Sequence, residues 1–226
     1  NLGLEVIKEV PWGTHLCFFY DSTNDYFDII KPYFKTGLEN NEFCVWVIPK
    51  ELEKKKALEI LQTAIPTLDC YQRKRQIEIL QYSECYLNKG RFDGHAVITN
   101  WGNKLDNALS AGFDGLRVVG DTSWVGTNRW RHFMDYESKI DNEMSNKKIL
   151  VICSYPLKKI GAREIIDVIE NHQFALIRRN AKWIYAKSFV DIVDKLLEIQ
   201  THIKGENIEL VKLAALKNTF FNQSSH

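Results

Sequence analysis

Apolar positions in the first fifty residues change period twice. Thr14 to Tyr20 is a short run holding Leu16, Phe18 and Phe19, the length of a buried strand. Asp21 to Asn24 carries turn chemistry. Tyr26, Phe27, Ile29, Ile30, Tyr33, Phe34 and Leu38 then recur at helical spacing, and Gly37 with Glu39-Asn40-Asn41 is read as the helix stop. Phe43 to Ile48 is apolar without alternation, as expected of a parallel strand covered on both faces. Strand, helix and strand in this order predict a right-handed crossover unit, whose ligands sit beyond the carboxyl ends of its strands. The loop that starts at Tyr20 lies there.

The pattern repeats downstream. Leu2 to Val10 is a lead-in ending at Pro11-Trp12-Gly13, and Pro49 breaks the second strand. Glu51 to Ala64 predicts a charged helix with Leu52, Leu58, Ile60 and Leu61 inward, closed by Pro66. Gln76 to Tyr82 alternates as an edge strand does, and Glu84 to Asp93 reads as a short helix or loop containing Tyr86. Gly94 to Ala111 is helical, with Val97, Ile98, Trp101, Leu105, Ala108 and Leu109 on one side, and Gly112 ends it. Leu116 to Asp121 is a buried strand leading to Trp124. Asn128 is placed to cap a helix running to Met144. Lys148 to Tyr155 is the strongest strand signal, stopped by Pro156. A helix follows over Ala162 to Asn171, then a hairpin from Phe174–Arg178 and Lys182–Ala186.

Strands alternating with helices predict an α/β chain, a three-layer sandwich with a mainly parallel sheet, over residues 1–187. From Phe189 the apolar stripe is helical through Ile203, pauses at Gly205 and resumes to Ala215. Residues 188–217 are therefore expected to pack on the domain or to pair two copies of the chain as a homodimer and output linker. Residues 218–226 are polar and expected to be disordered.

The loop from Tyr20 to Asp25 has no glycine and no lysine, so it lacks the parts of a phosphate-binding loop. Each of its carboxylates would repel an anion 4 Å away by roughly 4 kcal/mol. That argues against a bound nucleotide despite the nucleotide-binding topology.

Composition narrows the reading further. The chain has 226 residues, 45% of them hydrophobic, and a formal net charge of +1, which gives nucleic acid or an anionic membrane nothing to grip. No run reaches the roughly 18 apolar residues of a membrane span, no signal peptide is visible, and the start at Asn1 suggests an excised piece. The five cysteines are odd in number, and Cys17, Cys44 and Cys153 lie in apolar runs, which fits a reducing cytoplasm. Without a C-x-x-C pair, spacing predicts no structural zinc site.

Candidate chemistry gathers at three strand ends. The first carries His15, Cys17, Tyr20 and Asp21; the second ends in Asp121 and leads to Trp124; the third carries Cys153 and Tyr155. His15 and Cys17, two apart, share a strand face. Each has a plainer reading. His15 suits a core histidine bonded to a carbonyl, and the cysteines suit small buried hydrophobes. Trp101, Trp124 and Trp130 suit core as well as pocket, and Tyr136-Glu137 suits a solvated helix face. Arg117 lies inside an apolar strand and needs a carboxylate, for which Glu137 is the candidate.

Together these residues resemble the MEDS domain, the methanogen and methylotroph sensory domain. Its opening signature is matched by G-T-H-L-C-F-F-Y-D at Gly13 to Asp21. Later marks are G-L-E-N-N-E at Gly37 to Glu42, G-L-R-V-V-G-D-T-S-W at Gly115 to Trp124, Tyr136-Glu137, and I-C-S-Y at Ile152 to Tyr155. The resemblance spans roughly Gly3 to Ala186. It implies a RecA-like fold of the circadian-clock ATPase kind with a degenerate phosphate loop. It also implies a sensory role for C1 or hydrocarbon-derived compounds, ahead of a histidine kinase or other regulator module. The expectation is a cytoplasmic, non-catalytic small-molecule input domain of a two-component system, from a methanogen or another archaeon. Its ligand-binding residues would be His15, Cys17, Tyr20, Asp21, Trp101, Arg117, Asp121, Trp124, Glu137, Cys153 and Tyr155, with no metal. The sequence names no cofactor. The alternatives are a nucleotide-binding relic, a dimerisation module with an empty pocket, and a metal, corrinoid or haem sensor using His15 and the cysteines.

Overall fold

The computed structural model describes residues 1–179 and 181–186. Nine strands and seven helices follow in order: β1 His15–Tyr20, α1 Thr23–Glu39, β2 Phe43–Ile48, α2 Lys54–Ala64, α3 Leu68–Arg73, β3 Ile77–Gln81, α4 Tyr82–Tyr86, β4 Leu87–Asn88, β5 Arg91–Phe92, α5 Gly94–Ser110, β6 Leu116–Asp121, α6 Trp130–Met144, β7 Ile149–Pro156, α7 Ala162–Glu170, β8 Phe174–Arg179 and β9 Lys182–Ala186. Seven strands form one sheet in the order β3-β2-β6-β7-β1-β8-β9. All its pairings are parallel except the terminal β8–β9 hairpin. The fold is the expected three-layer α/β sandwich, with β3 at the edge.

Strand alternation divides the core into two layers. Leu16, Phe18, Cys44, Trp46, Leu150 and Ile152 pack with α1 and α2 on one face. Cys17, Phe19, Val45, Val118, Val151 and Cys153 pack with α5, α6 and α7 on the other. The α1 stripe explains its seat: Ile29, Ile30, Phe34 and Leu38 are all buried, each contributing about 1.5–3 kcal/mol on full burial. The lead-in joins this layer through Leu2 and Leu4.

Several boundaries differ from the sequence reading. α1 starts earlier, capped by Ser22, whose hydroxyl accepts from the Asp25 N–H. It runs through Gly37 to Glu39, so that glycine is not a stop. A substituent on Gly37 would meet the Arg117 side chain, and close approach between helix and strand is the reason for glycine there. The Glu84–Asp93 stretch contains a two-stranded β4–β5 hairpin, turned by the positive φ of Lys89 and Gly90. α3, at six residues, is too short to show a helical period in the sequence. Asn128 does not cap α6; its first residue follows Arg129, with no side-chain cap. The apolar stripe after Phe189 and the polar tail lie outside the described residues.

Candidate functional site

β1 sends its side chains alternately to the two faces, and this splits the candidate residues between two places. His15, Cys17 and Phe19 point toward α6 and α7, whereas Leu16, Phe18 and Tyr20 point toward α1. One pocket holding His15, Cys17 and Tyr20 together is therefore excluded by the period of two.

On the α6 face, four elements bring imidazole, carboxylate and thiol groups together. His15 from β1, Glu137 from α6, Cys153 from β7 and His172 from the α7–β8 connection place one donor atom each within 4.8 Å of all the others. His15 Nε2 lies 3.3 Å from Glu137 Oε2 and 3.4 Å from Cys153 Sγ. His172 Nε2 lies 3.0 Å from Glu137 Oε2, and its Nδ1 is 2.6 Å from the Val168 carbonyl. The two imidazole rings are tilted against each other with centroids 4.1 Å apart. The side chains of His15, Glu137 and His172 are at most 1% exposed. Glu137 Oε2, His172 Nε2 and His15 Nδ1 each lack a hydrogen-bond partner, and the carboxylate oxygen facing His15 Nδ1, Asp141 Oδ1, is 3.9 Å away, beyond hydrogen-bond reach.

Burial dominates the electrostatics of this layer. It works to raise the Glu137 carboxyl, but the flanking His15 and His172 outweigh it and hold that group at about 2. Burial lowers the His15 imidazole, helped by the neighbouring His172 and opposed by Glu137. Burial pushes the Cys153 thiol well up, with the Glu137 charge adding to it. Burial raises the Cys17 thiol likewise, with the Glu137 charge adding to it, and its Sγ faces the Phe174 carbonyl at 3.7 Å. Tyr155 closes the layer edge-on to His172 at 5.8 Å, its buried hydroxyl lacking a partner.

At the carboxyl ends of the strands, on the α1 side, lies an open cavity of about 480 Å³. Tyr20 and Asp21 line it from the end of β1, Pro156, Lys158 and Lys159 from the end of β7, and Ser123 from the end of β6. Tyr26, Phe27, Leu52 and Ile60 supply an apolar wall from α1 and the β2–α2 region. Its three lysines are paired: Lys158 with Asp21 at 3.3 Å, Lys159 with Glu51 at 3.0 Å and Lys56 with Glu59 at 3.2 Å. The amino end of α1 is occupied too. The Ser22 and Asp21 N–H groups donate to Asp25 Oδ2 at 3.1 and 3.4 Å, and Arg178 pairs with Asp25 from β8. A phosphate at that helix end would have to displace a carboxylate of its own chain.

Asp121 sits beneath this cavity rather than in it. Its Oδ2 accepts from the Ser123 N–H and hydroxyl at 2.9 and 2.5 Å, and Ser154 donates to Oδ1 at 3.4 Å. Burial raises its carboxyl to about 7 against those bonds. Trp124 is core: its indole stacks near Tyr86 and Tyr82 at 5.1 and 5.5 Å and donates to the Asp121 carbonyl at 3.0 Å. The Trp101 indole donates to the Tyr136 hydroxyl at 3.1 Å. Tyr136 and Glu137 are buried, so their helix face is not solvated. The expected Arg117–Glu137 pair does not form. Arg117 points to the α1 face and Glu137 lies beyond the opposite one, so the guanidinium pairs with Glu42 instead.

Residues 14–173 match the family described as MEDS, the methanogen/methylotroph, DcmR sensory domain. The chain belongs to the MEDS family. No curated protein matches it. Among solved structures it is similar to the flagellar accessory protein FlaH of Methanocaldococcus jannaschii, at 10% identity and TM-score 0.45, covering 77% of this chain and 76% of that one. A KaiC-like protein of Pyrococcus horikoshii OT3 is similar at 12% identity and TM-score 0.46, covering 77% of each chain. Among the described residues no helix is long and apolar enough to cross a membrane.

In this MEDS domain the family match runs from the start of β1 to the residue before β8, so it encloses both sites. His172 was not among the residues singled out from sequence. It stands in a polar connection, and only the β1–β8 pairing, with the Gln173 N–H donating to the His15 carbonyl at 3.1 Å, brings it beside His15. The cavity residues Phe27, Ile60, Ser123, Lys158 and Lys159 were missed for a related reason: four different loops and helices contribute them.

Proposed function

We propose that this chain is the non-catalytic input domain of a signal-transduction protein, and that it takes a small molecule in the cavity at the carboxyl ends of β1, β6 and β7. The family's sensory character supports the role. The cavity carries the reading: at about 480 Å³ it has the size of a metabolite site, with an apolar wall and a few convergent polar groups. Size also bears on the ligand. A bare one-carbon compound of two or three heavy atoms gains at most roughly 3 to 4.5 kcal/mol, a dissociation constant near millimolar. A larger derivative or cofactor that reports on one-carbon metabolism suits the cavity better. The self-capped amino end of α1 and the paired lysines speak against a triphosphate and against turnover. The apolar stripe after Phe189 then serves to pair two copies and to pass the signal to a kinase or regulator module in the cytoplasm.

The test is native mass spectrometry of the full chain taken directly from cells, with calorimetric titration of Mg-ATP. A non-covalent organic adduct is expected, lost in Ile60→Trp, which fills the cavity, with no binding of Mg-ATP tighter than about 1 mM. An adduct that survives Ile60→Trp, or Mg-ATP binding near about 1 µM with phosphate release, would overturn the reading.

A further inference from the structure

We propose that His15, Glu137, Cys153 and His172 bind one divalent transition-metal ion, zinc foremost, in the layer between the sheet and α6. The inference does not depend on the cavity, which lies on the other face of the sheet.

The spacing of the donors is the first argument. Ligands of a tetrahedral zinc ion, about 2.0–2.3 Å from the metal, stand roughly 3.3–3.8 Å from one another. Four of the separations are 3.0, 3.3, 3.4 and 3.8 Å, the last to Glu137 Oε1, and one donor atom from each residue lies within 4.8 Å of all the others, so small side-chain shifts would close the set on an ion. The second argument is direction. A buried ion pair of histidine and glutamate should point N–H at oxygen. Here His172 Nε2 and Glu137 Oε2 approach to 3.0 Å and both lack a hydrogen bond. Orphaned buried atoms that crowd without bonding fit donors aimed at a shared centre. The third is support: the His172 Nδ1–H is taken by the Val168 carbonyl at 2.6 Å, which leaves Nε2 with its lone pair facing inward. The Asp141 carboxylate stands 3.9 Å from His15 Nδ1, on the outer side of that ring.

Charge completes the case. A thiolate and a carboxylate balance a divalent ion, and the two imidazoles are neutral, so the loaded site buries no net charge. Nitrogen and sulfur donors select zinc or another transition ion over magnesium or calcium. On binding, the Cys153 S–H bond breaks, its proton passes to solvent, and a metal–sulfur bond forms. Four separate elements supply the ligands, so the ion would fasten β1, β7, α6 and the α7–β8 connection to each other.

The experiment grows the full-length protein in minimal medium with cobalt(II) or zinc(II) as the added metal, then measures metal content and absorption. Wild type should carry one ion per chain, and the cobalt form should show d–d bands of tetrahedral intensity and a thiolate-to-cobalt charge-transfer band. Cys153→Ser should lose the charge-transfer band. Cys17→Ser, its register neighbour on β1, should keep it. His172→Gln should lose stoichiometric metal, with circular dichroism reporting its fold. Wild type that holds no stoichiometric metal after growth or after refolding with either ion overturns the proposal, and this needs no variant. A charge-transfer band that survives Cys153→Ser overturns it too.

Discussion

Arg117 and Glu42 form a two-pronged ion pair inside the α1 layer. Arg117 Nε donates to Glu42 Oε2 at 2.5 Å and Nη2 donates to Oε1 at 2.9 Å. The guanidinium also donates to the carbonyls of Asn1 and Tyr33 and lies 4.5 Å over the Tyr33 ring. The fork ties the amino-terminal lead-in, α1, the α1–β2 turn and β6 to one charged group.

Breaking this pair should cost more than removing it. Arg117→Ala leaves Glu42 buried and uncompensated, for a loss on the order of 3–5 kcal/mol. Arg117→Met with Glu42→Leu should recover much of that loss. Urea unfolding of the two single variants and the double gives the coupling. Additive losses would mean that the two side chains act independently.

Two helical glycines should respond with opposite signs. A Cβ at Gly37 would stand 2.5 Å from Arg117 Nε and 2.9 Å from Cys44 Sγ. Alanine improves helix propensity by about 1 kcal/mol, but overpacking costs about 1–3 kcal/mol, so Gly37→Ala should destabilise. At Gly102 in α5 nothing lies within 4 Å of the added carbon. Gly102→Ala should therefore stabilise by about 0.5–1 kcal/mol. Thermal midpoints of the two variants decide the matter.

Asp121 should make the protein weaker as pH rises toward neutrality. Its carboxyl titrates at about 7 in the fold against 3.8 for an ordinary aspartate, with burial the largest cause and Glu51 adding to it. The native state keeps the proton over that interval while the unfolded chain has lost it. Stability from this group is therefore full below about pH 4, declines as pH rises to about 7 and is flat above. A difference of about 3 pH units between folded and unfolded chain corresponds to a decline on the order of 4 kcal/mol, with the Ser123 and Ser154 bonds already lowering the folded value. The difference in unfolding free energy between wild type and Asp121→Asn across pH 4 to 8 isolates it; a constant difference would mean that Asp121 stays ionised throughout.

The legible part of this protein was local. A short apolar run, a stripe at helical spacing and an unbroken apolar run located β1, α1 and β2, and unbroken runs located β6 and β7. Strand geometry placed His15 and Cys17, two apart, on one face, and the missing glycine and lysine in the Tyr20–Asp25 loop were plain to see. Side-chain period depends on neighbours a few residues apart, so it survives in one dimension. Short pieces such as α3 and the β4–β5 hairpin left too few repeats to register.

What only the tertiary structure decided is which distant residues meet. Arg117 needed a carboxylate on physical grounds, but its choice of Glu42 over Glu137 follows from the face to which β6 turns it. His172 became a neighbour of His15 because β8 pairs with β1, one strand in from the β9 edge, in a seven-strand order that no local spacing encodes. The absence of a C-x-x-C pair speaks only to donors close in sequence, whereas His15, Glu137, Cys153 and His172 come from four separate elements. Sequence alone determined the elements and the faces of their side chains, because those depend on backbone geometry within a few residues. The strand order determined the sites, because burial of charge and donor atoms is settled by contacts over more than a hundred residues of chain.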